Sequence, residues 1–344
     1  MGEFADDSND PRPRWRRLLT RRPLLVLGLL VAAQTVFTLD ARALFYSDEV
    51  RHADVLYSTV ADGHWLRLTL NGGPYGDKPP LYFWMLAGLR ALTPLEGEPL
   101  MFAGAALSVF ALAAATWALA RVPGGSREDA LTAGLLLLGC VTVVALAHYA
   151  RMDQMFAALI TAAHACVLVG WRSARRFSGW VVAGFAATAL AALVKGPFAV
   201  GFVGLASVGY LLYAGRARRL LRADVLIGVL VLAAVIGGWL AAAWRAAGAG
   251  YVSNIVFHQT LQRMVDSFRH AEPWWFYLPV LPALLLPWTP VVLVLPWRRM
   301  ARGRTFFDRP IEVAPYAELG GDGPLTNALN LRGGDFFKDM MRDP

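Results

Sequence analysis

Charge is scarce in this chain: 17% of its residues are Asp, Glu, Lys or Arg, where a soluble domain carries about a quarter. That shortage argues against the two soluble domains that 344 residues would otherwise suggest. Cysteine is nearly missing. Cys140 and Cys166 both lie inside apolar runs, which excludes a disulfide framework and leaves no thiolate metal site. Nothing resembles the glycine-rich loop of a soluble nucleotide-binding domain, and no internal repeat is visible. What is abundant is apolar: 56% of the residues are hydrophobic. Runs approaching the ~20 residues that cross a ~30 Å hydrocarbon core recur along the chain. The net charge of +8 is mostly arginine. In a membrane protein, clustered arginine reports topology rather than a nucleic-acid partner.

The reading that follows is an all-α integral membrane protein of about eight transmembrane helices, with interfacial helices in an outer loop. Residues 1–22 form a basic N-terminus with six arginines between Arg12 and Arg22. The first span is Pro23 to about Leu39. Ala41-Arg42-Ala43 has the outline of a signal-peptide cleavage site, but Asp40 and Arg42 fit it poorly and many spans follow. Further spans are expected at 100–121, 129–148, 154–171, 179–194, 197–214, 224–245 and 277–297. The apolar stretch Pro79 to Leu95 follows two prolines and contains Arg90, so it is read as a helix lying in the interface. With the N-terminus cytoplasmic, the arginine-dense loops at 121–127, 172–176, 216–222 and 298–304 all fall inside, as the positive-inside rule requires. If Pro79–Leu95 crossed, the later ones would face outward. The transmembrane domain is thus 23–304, with outer loops 40–99, 149–153, 195–197 and 246–276. The tail 305–344, rich in Gly, Asp and Pro, is expected to be cytoplasmic and poorly ordered.

Polar residues able to do chemistry collect in those outer loops. Tyr46-Ser47-Asp48-Glu49-Val50-Arg51-His52 sets two carboxylates one helical turn from a basic pair. They suit a base, a metal ligand or a cation partner, and equally a solvated helix start with Asp48 near the N-cap. In Tyr75-Gly76-Asp77-Lys78-Pro79-Pro80-Leu81-Tyr82 an acid and a lysine are fixed by a rigid turn. They read either as an incidental ion pair or as a carboxylate ligand beside a phosphate-binding cation. Arg151 and Asp153 sit in a turn of a few residues between two spans, where charge is costly unless paired or used, and read equally as topological anchors. Lys195 ends a span on the side opposite to the usual bias and favours anion binding. In the last outer loop His258 and Arg263 lie well away from span ends, while Trp274-Trp275-Phe276-Tyr277 reads as an interfacial belt. His148 and His164 read as structural. Together these acids, cations and one imidazole suit a lipid-linked phosphate that enters laterally from the bilayer. Cations would hold the phosphate, a carboxylate would act as base, and a carboxylate–histidine pair would suit a divalent metal such as zinc.

The order of these motifs carries a resemblance. Asp48-Glu49, then Leu70-Asn71-Gly72 leading to Asp77-Lys78-Pro79-Pro80, Ala150-Arg151-Met152-Asp153, Lys195-Gly196-Pro197, and His258 and Arg263 before Pro273-Trp274-Trp275 follow in series. The series resembles the GT-C glycosyltransferases of the protein mannosyltransferase and aminoarabinose transferase group, over roughly residues 20–300. The resemblance implies inverting transfer of a sugar from a polyprenyl-phosphate donor to a lipid A-like, protein or glycan acceptor, on the periplasmic side of a bacterial inner membrane, with no nucleotide cofactor. It implies that Asp48 is the principal catalytic carboxylate, supported by Glu49 and by Asp153 of the second acidic motif. Arg51, Lys78 and Arg263 would hold the donor phosphate. Tyr75, Tyr82, Arg151 and Lys195 would line the same cavity. Asp77 and His258 would bind a divalent metal (zinc, or magnesium or manganese), with Asp where the group usually carries Glu. Members of the group usually continue into more spans and an outer soluble domain, so a truncated or partner-dependent chain is also expected. The competing readings are a non-catalytic polyprenyl-lipid-binding protein and, less well supported, a secondary transporter.

Overall fold

A computed structural model describes residues 19–36, 39, 42–257, 273 and 275–295. The described chain is mostly helical. In order it contains α1 (Pro23–Thr35), α2 (Ser47–Ala61), a hairpin of β1 (Thr69–Leu70) and β2 (Gly73–Pro74), α3 (Leu81–Leu92) and α4 (Gly97–Arg121). Then follow α5 (Arg127–Leu138), α6 (Val141–Ala147), α7 (Asp153–Arg172), α8 (Gly179–Lys195), α9 (Phe198–Tyr213), α10 (Ala223–Ser253), α11 (Tyr277–Leu284) and α12 (Trp288–Val294).

Among the described residues three helices, beginning at Gly97, Asp153 and Ala223, are long and apolar enough to cross a membrane alone, with up to five crossings if each bent pair counts as one. The expected span 129–148 is such a pair: α5 and α6 meet at 68°. The break falls at Gly139-Cys140, where the Cys140 backbone is extended (ψ 128°). The expected span 277–297 is likewise α11 and α12 at 108°. α1, α8 and α9 are apolar but shorter. α3 is a 12-residue helix that begins after Pro79-Pro80, within the apolar stretch Pro79 to Leu95. Large apolar side chains point outward along α9 and α10, among them Leu205, Leu226 and Leu230, at 78, 63 and 60% exposure. A soluble fold would bury such side chains, and a membrane-embedded one turns them to lipid.

The strands depart from the all-α expectation. Asn71-Gly72 is the cause: both residues have positive φ (51° and 75°), the requirement of a tight two-residue hairpin turn, so Leu70 pairs with Gly73 and Thr69 with Pro74. Tyr251, near the end of α10, fastens this hairpin. Its hydroxyl donates to the Tyr75 carbonyl at 3.1 Å and accepts from the Leu68 N–H at 3.2 Å.

α7 lies against α8, and α4 against α7, in the middle of the array. Small residues permit the α7–α8 approach. A Cβ on Gly184 would stand 2.4 Å from Val167 Cγ1 and 3.1 Å from the Val167 backbone nitrogen; one on Gly170 would stand 2.3 Å from Val181 Cγ2. Close backbone approach through glycine and alanine is the usual way helices gain dispersion contacts where lipid offers no hydrophobic drive. Gly184→Ala is therefore expected to cost roughly 1–3 kcal/mol, because the backbone opposite cannot yield. Gly201→Ala, where no atom lies within 4 Å, is expected to be close to neutral. Unfolding midpoints of the two variants in one detergent check this.

Candidate functional site

The polar motifs meet at one end of the array, where α2 starts, α7 starts and α8 ends. The order of α4 to α10 alternates direction, so the arginine-rich loops 121–127, 172–176 and 216–222 lie at the other end.

Glu49 organises the meeting point. Its side chain is fully buried. Arg42 donates to both carboxylate oxygens, at 2.7 and 2.9 Å. The backbone N–H of Ala150 donates at 2.9 Å, and those of Phe45 and Tyr46 at 3.2 and 3.3 Å. Burial pushes the Glu49 carboxyl up, but the Arg42 bonds and the backbone donors outweigh it and hold the pKa below the ordinary value. Arg42 also donates to the His148 carbonyl at 2.7 Å and packs its guanidinium 4.7 Å from the Phe102 ring centroid. The pair thereby joins the α1–α2 connection, α2, α4 and the α6–α7 turn. Arg42 was legible in the sequence only as a poor cleavage-site residue. The available signal was a cation just outside the first span, six and seven residues before an acidic pair.

Asp48, next to Glu49 on α2, is half-buried and differently placed. One oxygen lies 3.0 Å from Arg151 and the other 3.6 Å from Arg51. Arg151 continues to Asp153 at 3.2 Å, and Asp153 continues to Lys195 at 2.5 Å. The result is an unbroken run of alternating charge, Arg51–Asp48–Arg151–Asp153–Lys195, drawn from α2, the α6–α7 turn, α7 and α8. Lys195 Nζ also faces the Phe156 ring, 5.9 Å from its centroid.

Under this run lies His52, 3% exposed, with its ring edge-on to Tyr82 and Phe83 at 5.7 and 5.8 Å. Its Nδ1 is 3.5 Å from the Ala150 carbonyl. Burial, helped by the charges of Lys78 and Arg151, lowers its pKa to about 4. Tyr82 is fully buried and, among the described residues, its hydroxyl has no hydrogen-bond partner. Tyr75 is buried against Phe83, while Asp77 and Lys78 are half-buried just beyond it. His148 is structural as expected: its Nδ1 and Nε2 lie 2.7 and 2.9 Å from the carbonyls of Val144 and Gln34. His258 and Arg263 lie outside the described residues. Among the described residues no three His, Cys, Asp or Glu side chains converge on a metal-sized space, and Asp77 is the one expected ligand that falls there.

A buried carboxylate gripped by a cation, a half-exposed carboxylate flanked by two arginines, and a lysine at a span end together mark one charged end of a multi-pass membrane protein. The comparisons narrow the class. The family model for dolichyl-phosphate-mannose-protein mannosyltransferase matches residues 77–241. An undecaprenyl phosphate-alpha-4-amino-4-deoxy-L-arabinose arabinosyl transferase of Proteus mirabilis is 26% identical over 291 residues, 82% of this chain and 52% of that protein. Its counterpart in Pseudomonas aeruginosa is 31% identical over 260 residues, 73% of this chain and 46% of that protein. The crystal structure of ArnT from Cupriavidus metallidurans bound to undecaprenyl phosphate superposes with a TM-score of 0.69 at 27% identity, covering 86% of this chain and 52% of that one. The apo structure of the same protein gives 0.66. The chain is similar to ArnT over the matched region, and it spans about half the length of the curated relatives it matches.

Two outcomes follow from the geometry. Arg42→Ala strands a buried carboxylate, a change of the kind that costs about 3–5 kcal/mol when the pair is fully buried and somewhat less here, since Arg42 is partly exposed. Arg90→Ala, which breaks the exposed Arg90–Glu96 pair, is expected to cost under about 1 kcal/mol. Thermal unfolding of both in the same lipid compares them. For His52 the folded pKa lies below the unfolded one, so the folded state binds fewer protons between the two. Stability is complete above about pH 6.5 and falls as the pH drops toward 4, by about 3 kcal/mol in all. His52→Gln should flatten that part of the stability–pH profile.

Proposed function

We propose that this chain is a polyprenyl-phosphate-dependent, inverting glycosyltransferase. The observation that carries the reading is Asp48, half-exposed and held between Arg51 and Arg151 while its neighbour Glu49 is saturated. A carboxylate that keeps free lone pairs at the membrane surface can take a proton; one with every position filled positions its surroundings. Asp48 accepts the proton of an acceptor hydroxyl, or orients an acceptor already ionised. The acceptor oxygen attacks the anomeric carbon from the side opposite the phosphate, the sugar–phosphate bond breaks, and polyprenyl phosphate leaves with the bonding pair. Arg51, Lys78, Arg151 and Lys195 stabilise that developing charge, with Arg263 a further cation on the last loop. They are fixed before reaction, so no reorganisation is needed in the transition state. Asp153 sets Arg151 and Lys195 in place. Tyr75 and Tyr82 form the floor with His52.

The donor class is supported by the undecaprenyl phosphate in the ArnT structure and by the arabinosyl transferase names of the relatives. The acceptor we infer is a lipid A-like lipid, a protein or a glycan. Asp77 with His258 remains the pair proposed for a divalent metal, and the steps above run on the chain's own charges. The array we infer has eight crossings, counting each bent pair once and adding α1, α8 and α9 to the three long helices. The arginine end is cytoplasmic and the site end periplasmic in a bacterial inner membrane. Residues 1–22 and 305–344 then lie outside the transmembrane domain, on the cytoplasmic side.

The test is label transfer from radioactive polyprenyl-phosphate sugars to envelope acceptors, with purified protein in lipid. Asp48→Asn should lower turnover ~100-fold or more while leaving the unfolding midpoint unchanged. Unchanged turnover in the variant would remove Asp48 from the chemistry. Donor binding with no transfer by the parent chain would favour the non-catalytic lipid-binding reading.

A further inference from the structure

The proposed reaction uses one end of the helix array, and the opposite end holds a second concentration of charge with no part in it. The α7–α8 and α9–α10 loops carry seven arginines in 172–176 and 216–222, and the nearby carboxylate, Asp224, is already taken. It is fully buried, 2.5 Å from Arg222, and accepts the Ser178 N–H at 2.8 Å.

Membrane topology accounts for arginines on this side, but not for the way the two loops are drawn together. Arg219, on the short 3₁₀ turn Ala217–Leu221, donates to the carbonyls of Trp171 and Ser173, at 2.9 Å for the second. Those carbonyls lie in the last turn of α7 and at its C-cap, where the helix dipole favours a cation. Arg172 reaches across to Tyr210 of α9. The guanidinium of Arg219 is disfavoured by burial and then by the charges of Arg216 and Arg222. These bonds clamp like charges together. Arg175, Arg176 and Arg218 are exposed beside the clamp, and Arg216 is half-buried within it.

The surroundings are not those of a soluble anion site. Phe177, Trp180, Tyr213 and Leu221 adjoin the arginines at 48, 42, 67 and 89% exposure. Amphipathic rings mark the headgroup level of a bilayer. A phosphate that carries its own apolar tails matches cations and exposed apolar side chains at once; a nucleic acid or an acidic soluble protein matches the cations alone.

We propose that the joined α7–α8 and α9–α10 loops form a binding site for the headgroup phosphate of an anionic diacyl phospholipid, such as phosphatidylglycerol, its acyl chains lying against the exposed apolar side chains. The proposal rests on the membrane reading and is independent of sugar transfer.

Native mass spectrometry of the full chain released from detergent, with phosphatidylglycerol or phosphatidylcholine added at equal concentration, tests it. The parent chain should retain phosphatidylglycerol in preference. The triple variant Arg175→Gln, Arg216→Gln, Arg218→Gln leaves Arg172, Arg219 and Arg222, which tie the loops, in place. Juxtamembrane arginines contribute about fivefold each to anionic-lipid binding, so the triple variant should lose roughly a hundredfold in phosphatidylglycerol affinity. Phosphatidylcholine retention should not change, and Arg90→Gln, outside these loops, should lose nothing. Inorganic phosphate at the lipid's concentration should not displace the lipid. Equal retention of both lipids by the parent chain, an unaltered triple variant, or displacement by inorganic phosphate would overturn the proposal. A chain that fails to transfer sugar yet passes this test leaves the lipid site standing.

Discussion

A carboxylate with no exposure to solvent must be compensated completely or not exist as an ion, and Glu49 is the point where this chain meets that demand. Its charge is matched by Arg42 and its oxygens by three backbone N–H groups. Isolated burial of such a group is prohibitive; with these donors it becomes a fixed node. Everything at that end takes position from it. The α2 start is held by its own backbone donors to Glu49, the α6–α7 turn by Ala150 and His148, and α4 by Phe102 beneath the guanidinium. Asp48 and Arg151 occupy neighbouring positions on two of those segments, so their 3.0 Å pairing depends on the node beneath them.

The same end shows how one environment separates two adjacent acids. Glu49 is on the inner side of α2, where the helix faces the α6–α7 turn, and it is saturated. Asp48 is partly exposed and, among the described residues, pairs with the side-chain cations Arg51 and Arg151. His52, one turn further along the buried side, is kept neutral by its aromatic neighbours. It therefore adds no positive charge beside the cations Lys78 and Arg151.

Much of this was legible in the sequence, because membrane insertion and motif order are both written in one dimension. The spans at 100–121, 154–171, 179–194, 197–214 and 224–245 correspond to helices α4 and α7 to α10, and the apolar stretch Pro79–Leu95 contains the helix α3. Hydropathy sums over a window, so it missed the bends at Gly139-Cys140 and between α11 and α12, where apolar composition continues through a change of direction. It also missed the Asn71-Gly72 hairpin, whose strands are two residues each. Asp48, Arg151, Asp153 and Lys195 were picked separately and the fold brings them into one charged run. Arg42 and the distinct role of Glu49 were not legible, since nothing in an Asp-Glu dipeptide says which acid will be buried. His258 and Arg263 lie outside the described residues, as does the tail 305–344.

The charged run has a consequence for how the protein is made. The run and the Glu49 node beside it join segments far apart in the chain: Glu49 and Ala150 are 101 residues apart, and Asp153 and Lys195 are 42. Contacts of that separation form only after the intervening spans have been inserted and docked, since loop closure must precede the contacts that reward it. During synthesis the first helices would enter the bilayer with Asp48 and Glu49 still lacking their partners in the α6–α7 turn. A nascent or half-inserted chain therefore carries no competent site, and the constellation comes into being as a late event of assembly, once α8 has delivered Lys195.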